Sequence, residues 1–125
     1  MIERLMAPGT FHQAPYSHAV RAGNFLFVTG QIAADPETGD YVLGDIETET
    51  RRTMDNLQLV LGTAGFGFGD VVAARAFLTD MRDYDEFNRI YTEYTGDALP
   101  MRTCIGVTAL AAGARVEVDL VAYRE

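Results

Sequence analysis

Lysine is missing from the 125 residues: the ten basic side chains are all arginines, set against 18 aspartates and glutamates. Without a lysine ammonium the chain cannot form a Schiff base with pyridoxal phosphate or with a carbonyl substrate, and it lacks the lysine of a phosphate-binding loop. Cysteine is almost as scarce. Cys104 stands alone, so no internal disulfide can form, and with only His12 and His18 beside it no cluster has the spacing of zinc ligands. No stretch approaches the ~20 apolar residues that cross a bilayer, and the opening MIERLMAPGTF holds no apolar run of signal-peptide length, so the protein is expected to be cytoplasmic. No unit of about 20 to 50 residues repeats and no segment has a linker's composition. A single domain over residues 1–125 is the expectation.

What is present fits a packed globular chain. Apolar residues make up 48% and aromatics 10%, enough to build a core at this length without metal or disulfide. The formal charge of −8 repels phosphate backbones and anionic lipid, so neither nucleic acid nor a membrane is an expected partner.

The segment SHAVRAGNFLFVTGQI reads as two strands about a tight turn at Ala22-Gly23-Asn24, where glycine and asparagine accept positive φ. DPETGD, from Asp35 to Asp40, reads as a surface turn before a short extended piece at Tyr41 to Leu43. Ile46, Thr50, Met54, Leu57, Leu61 and Ala64, with Val60 alongside, recur at three- and four-residue spacings and predict a helix, capped by Asp45 and stopped by Gly65. Gly69 to Asp80 predicts a strand buried on both faces. A second helix follows, with a capping box at Asp83-x-x-Glu86, an apolar stripe of Phe87, Ile90, Tyr91 and Tyr94, and a stop at Gly96. Two last strands, about Thr103 to Val107 and Arg115 to Tyr123, flank a small-residue loop. The order β-β-α-β-α-β-β predicts an α+β fold: one mixed sheet with both helices on a single face. On the final strand Arg115, Glu117 and Asp119 alternate with Val116, Val118 and Leu120, which leaves a charged face either solvated or covered by other subunits.

In PMRTCIGVTALAAGARVEVDL, Arg102 and Cys104 are two apart in an extended segment and leave the same face. If the loop closes an antiparallel pair, Glu117 comes within reach of them. Guanidinium would then match a carboxylate, the glutamate would hold or deprotonate a water, and the cysteine would contact a polar atom between them. Taken alone, these residues have a simpler reading: arginine and glutamate are mostly exposed, and a free cysteine is often a small buried hydrophobe. Neither histidine has the spacing of an activating base, so a nucleophilic thiol is weakly supported. Tyr16, after Pro15, reads as a pocket wall or a half-buried packing residue, and Thr29-Gly30 as a bulge or a close backbone approach. The run GFGFGD follows a helix and precedes a strand, the reverse of a phosphate cradle.

Together APYSHAVRAGNFLFVTGQIAADPETG, ETRRTMDNLQLVLGTAGFGFGDVV, NRIYTEY and PMRTCIGVTALAAGARVEVDLVAY resemble the RidA (YjgF) family across residues 14 to 123. TGQI is a weak signal by itself, whereas the P-x-R-x-C pattern followed by a V-E-V strand is specific. The resemblance implies a chorismate-mutase-like subunit in a homotrimer, with sheets inside, helices outside and three sites between subunits. It also implies cofactor-free hydrolysis of reactive 2-imino or enamine acids, such as 2-iminobutanoate and 2-iminopropanoate, to 2-oxo acids and ammonia. By position, Arg102 would clamp the substrate carboxylate, Glu117 would activate the attacking water, and Cys104 would supply backbone and pocket surface. Tyr16, Thr29, Gly30 and Asn88 would complete the walls, part of them from a neighbouring subunit. Met101, Thr103, Thr29 and Ala111 depart from the family's usual residues and leave the substrate's side chain open. Two alternatives stand beside this reading: a pathway-dedicated deaminase of 2-aminomuconate or aminoacrylate type, and a non-catalytic regulator that binds a small carboxylate. A ribonuclease is opposed by the acidity and by the lack of a basic aromatic stripe.

Overall fold

The computed structural model describes residues 1–8 and 15–125; His12 lies outside the described residues. The strands are β1 (Ile2–Leu5), β2 (Ala19–Ala22), β3 (Phe25–Gln31), β4 (Val71–Leu78), β5 (Met101–Gly106) and β6 (Val116–Tyr123), and the helices are α1 (Ile46–Thr63) and α2 (Tyr84–Thr95). They form one mixed sheet in the order β1-β2-β3-β6-β4-β5, in which only the β4–β5 pair is parallel.

The core lies between one face of the sheet and the two helices. On β6 Val116, Val118, Leu120 and Ala122 are buried and alternate with half-buried Glu117, Asp119, Val121 and Tyr123. Leu26 and Val28 of β3 and Ala74, Ala76 and Leu78 of β4 fill the same side, against Met54, Leu57, Val60 and Leu61 of α1 and Phe87 and Tyr91 of α2. Asp45 caps α1 by accepting from the Thr48 amide at 2.8 Å, and Gly65 ends it at φ +81°, a conformation that costs a side chain but not glycine. The β2–β3 hairpin turns at Gly23, φ +61°.

Five expectations are corrected. First, β1 adds a sixth strand. It is a four-residue edge strand, IERL, paired only with β2, too short to show a period. Second, β5 and β6 do not pair. β4 lies between them, antiparallel to β6 and parallel to β5, because the connection through α2 carries the chain to the far edge. Third, burial on β4 is one-sided in the chain: Val72 is exposed and Ala73 and Phe77 are partly open. Fourth, the capping box before α2 does not form. A 3-10 turn at Met81–Asp83 occupies its place, with the Asp80 carboxylate accepting from the Arg82 amide at 2.9 Å and no side-chain cap from Asp83. Fifth, Tyr41 to Leu43 contributes only an isolated bridge, Ala34 to Tyr41.

One buried acidic side chain ties these elements together. Glu49 of α1, 1% exposed, accepts from the amides of Gly44 at 3.2 Å and Arg115 at 2.9 Å, while Arg115 Nε donates to the Gly44 carbonyl at 2.8 Å. Arg115 is thus drawn off the open sheet face where strand alternation placed it, and β6 starts at Val116. Replacing Glu49 by alanine leaves the part-buried amides of Gly44 and Arg115 without this acceptor. Glu49→Ala is expected to lower the unfolding free energy by about 2–4 kcal/mol in chemical denaturation.

Candidate functional site

The residues singled out in the sequence fall into two groups on opposite faces of the sheet. Arg102 and Cys104 do share a face, and it is the helix side: their β4 partners are Ala74 and Ala76, both buried. Glu117 pairs with Phe77 and faces the open side. Two strand spacings across and three residues along put the Cα atoms of Arg102 and Glu117 about 14 Å apart, with their side chains diverging. An antiparallel hairpin would have joined them; the intervening β4 separates them. Within one chain they do not converge.

The first group centres on Glu117. The ladder between β3 and β6 is interrupted from Val28 to Gln31, and the bulge there carries Thr29 and Gly30 over the Glu117 side chain. A Cβ built at Gly30 would collide with a carboxylate oxygen of Glu117 and fall 2.9 Å from its Cδ, so glycine here serves a close approach. Tyr16, Thr29, Gly30 and Glu117 line one cleft of about 600 Å³. Asn56 of α1 holds its far wall by donating to the carbonyls of Ile32 at 3.1 Å and Ala34 at 2.8 Å. Neither the cleft nor Asn56 was expected from the sequence, where Asn56 is only a polar residue beside the helix stripe. Burial pushes the Glu117 carboxyl up from its ordinary value; Asp119 adds to this and Arg75 opposes it. Arg75 is itself engaged by Asp119 at 2.6 Å. Glu117 is therefore a half-buried carboxylate of raised basicity beside a cleft.

The second group lies beneath α2. Arg102 Nη2 donates to the Tyr84 hydroxyl at 3.3 Å, and its Cζ stands 5.7, 5.4 and 4.9 Å from the ring centroids of Tyr84, Phe87 and Tyr91. Among the described residues no carboxylate pairs with it, whereas Arg75 of β4 and Arg51 and Arg89 of the helices are each held by an acid. Asn88 lies on the same face of α2, its Oδ1 buried without a hydrogen-bond partner among the described residues. Cys104 is half-buried against the core, and burial raises its thiol above the ordinary value, with Arg102 pulling the other way. A neutral thiol with no base beside it among the described residues is not set up for attack. Tyr91 reads from the sequence as core stripe and Tyr84 lies outside that stripe, so neither was singled out as a site residue.

The open sheet face between the groups carries Phe25, Phe27, Met101 and Ile105, all more than 40% exposed. A second cleft of about 640 Å³ runs along it, bounded by Tyr16, Thr29, Gly30, Met101 and Thr103. Met101 and Thr103 therefore face away from Arg102, their neighbour in sequence.

Two helices on one face of a six-stranded mixed sheet, an acid beneath a glycine bulge and an edge-strand arginine with no acid partner among the described residues define a small α+β protein. The comparisons give the family. A family model described as Endoribonuclease L-PSP matches residues 8–124, and the chain belongs to that family, the RidA (YjgF) family. A RutC family protein of Pyrococcus horikoshii is 41% identical over 111 residues, covering 89% of this chain and 88% of its own. The 2-iminobutanoate/2-iminopropanoate deaminase of Mus musculus is 37% identical over 110 residues, 88% of this chain and 82% of its own. The crystal structure of a putative endoribonuclease from Thermotoga maritima superposes with a TM-score of 0.91 at 38% identity, covering 98% of this chain and 96% of that one.

The close approach at Gly30 can be probed directly. Gly30→Ala must displace either the bulge or Glu117, at a cost of about 1–3 kcal/mol. Thermal melting is expected to show that loss, while Ala is tolerated at Gly67, where the added Cβ meets nothing within 4 Å.

Proposed function

We propose that the chain is a cofactor-free hydrolase of 2-imino and enamine acids of the 2-iminobutanoate/2-iminopropanoate type, producing 2-oxo acids and ammonia. The observation that carries this reading is Arg102: a partly buried guanidinium, oriented by aromatic rings, with no acid partner among the described residues. Such a fork matches a carboxylate bidentately. The mouse relative, named for this activity, supports the same reading.

Arg102 holds the substrate carboxylate and Glu117 takes a proton from water as its oxygen attacks the imine carbon. The carbon–oxygen bond forms, and the pair of the C=N bond moves to the protonated imine nitrogen, giving a neutral carbinolamine. In its collapse Glu117 returns its proton to that nitrogen, the C–N bond breaks, ammonia leaves, and the hydroxyl proton passes back to Glu117 as the carbonyl of the 2-oxo acid forms. Holding water and imine carbon together, with a short proton transfer, is the main gain; the transfer alone contributes about 10²- to 10⁴-fold. Cys104 lends surface and backbone, Tyr16, Thr29 and Gly30 wall the water side, and Asn88 walls the carboxylate side. No residue needs a covalent intermediate. The formal charge of −8 sets the chain against the alternative of an RNA substrate.

Because Arg102 and Glu117 lie on opposite faces of one sheet, the reading requires that two chains share each site. We infer a homotrimer in a cytoplasmic setting, each subunit a single domain, whose open sheet faces bury Phe25, Phe27, Met101 and Ile105 against one another. Sedimentation at micromolar concentration is expected to give three copies; a monomer would remove the shared site.

Coupling the protein to a threonine dehydratase and trapping free imine reads the chemistry. The native chain should accelerate 2-oxobutanoate release, Arg102→Ala should lose at least about 100-fold in kcat/KM, and Glu117→Gln about as much in kcat. No acceleration by the native chain with either imine would sink the reading. Glu117 must be ionised to accept the proton, and its pKa is raised, so activity should fall away on acidification at a higher pH than an ordinary glutamate would impose. The same shift means that the folded state favours the protonated form. Its unfavourable effect on stability is present above the folded pKa and vanishes below the unfolded one, so Glu117→Gln should melt no lower than the native chain at neutral pH.

A further inference from the structure

The rings around Arg102 belong to one face of one helix. Tyr84, Phe87 and Tyr91 follow the i, i+3, i+7 spacing that stacks side chains along a stripe. Phe87 and Tyr91 are rigid: both are buried, and their ring centroids lie 5.6 Å apart. Tyr84, at the first residue of α2, is at the rim, 37% exposed, and alone among the three it also hydrogen-bonds the guanidinium.

An arginine can be oriented by an acid or by aromatic faces, and the two differ in what they leave behind. A carboxylate partner occupies the guanidinium fork and neutralises its charge. Ring faces attract the cation through their quadrupole and leave the N–H edge and the charge free for another anion. A long side chain held in this way loses less freedom when it grips a ligand.

We propose that Tyr84, Phe87 and Tyr91 form an aromatic cradle whose ring faces pre-orient Arg102 for the substrate carboxylate. The three act through Arg102 and are positioning residues. The inference rests on Arg102 being the carboxylate clamp proposed above. Its consequence is that loss of the cradle raises KM and leaves kcat largely alone, since the water and Glu117 lie on the other half of the site.

Tyr84 is the residue to change, because its exposure spares the core. Tyr84→Leu removes ring and hydroxyl, and Tyr84→Phe restores the ring. In the imine assay Tyr84→Leu is expected to raise KM about tenfold with kcat within about twofold of native, and Tyr84→Phe to recover most of the loss. A merely structural role would instead lower kcat and KM effects together with the melting temperature, and would overturn the proposal. A second measurement needs no turnover. The Arg102 Nε–Hε nuclear magnetic resonance signal, identified by its loss in Arg102→Ala, should be ordered in the native chain and in Tyr84→Phe and mobile in Tyr84→Leu. Equal order in native and Tyr84→Leu would sink the cradle even if imine hydrolysis is confirmed. Conversely, absent hydrolysis by the native chain would remove the proposed activity while this signal still decides whether the cradle orients Arg102.

Discussion

The central position of β6 is the constraint on which the rest depends. It is hydrogen-bonded on both edges, to β3 and to β4, so its two-residue period decides what each face of the sheet can be. Val116, Val118, Leu120 and Ala122 bind the helices to one face, and Glu117 and Asp119 are thereby committed to the other. A slip of one residue would bury both acids. The glycine bulge on β3 then has its meaning from β6: it opens the ladder where the Glu117 side chain needs room.

Helix α2 serves two purposes with one stripe. Phe87, Ile90 and Tyr91 close the core, and the N-terminal end of that stripe, continuing through Tyr84, receives Arg102 from the edge strand. Because the parallel β4–β5 pairing sets the register, Ala74 and Ala76 lie beside Arg102 and Cys104 and leave space for the guanidinium to lie against rings. Packing and charge presentation are here the same contact. The cleft beside Glu117 is built differently, from backbone: a bulge, a glycine, and an asparagine that binds two carbonyls.

Much of this was legible in the residues. The hairpin about Gly23, helix α1 with its Asp45 cap and Gly65 stop, and the inward and outward alternation of β6 follow from local chemistry, and the structure has them. Arg102 and Cys104 sharing a face was legible for the same reason. The capping box before α2 was a false signal: the 3-10 turn gives the Asp83 amide to the Asp80 carbonyl, and the Asp83 side chain makes no cap. Strand β1 was invisible: four residues with two charges carry too little pattern. The roles of Asn56, Tyr84 and Glu49 carry no local signal, since Ile32, Arg102 and Arg115, which they meet, are distant from them in sequence.

By itself the sequence determined the periods: which residues face a core, which turn the chain, and that one arginine, one cysteine and one glutamate occupy strand positions. Strand order was decided only by the tertiary structure. Local spacing places residues on a face, but it holds no information on which strand becomes a neighbour, because that depends on where a helix packs and how a crossover returns. The chain's last two strands read as partners in the text, and β4 came between them. That single insertion put Arg102 and Glu117 on opposite faces of the sheet and separated residues that the sequence placed together.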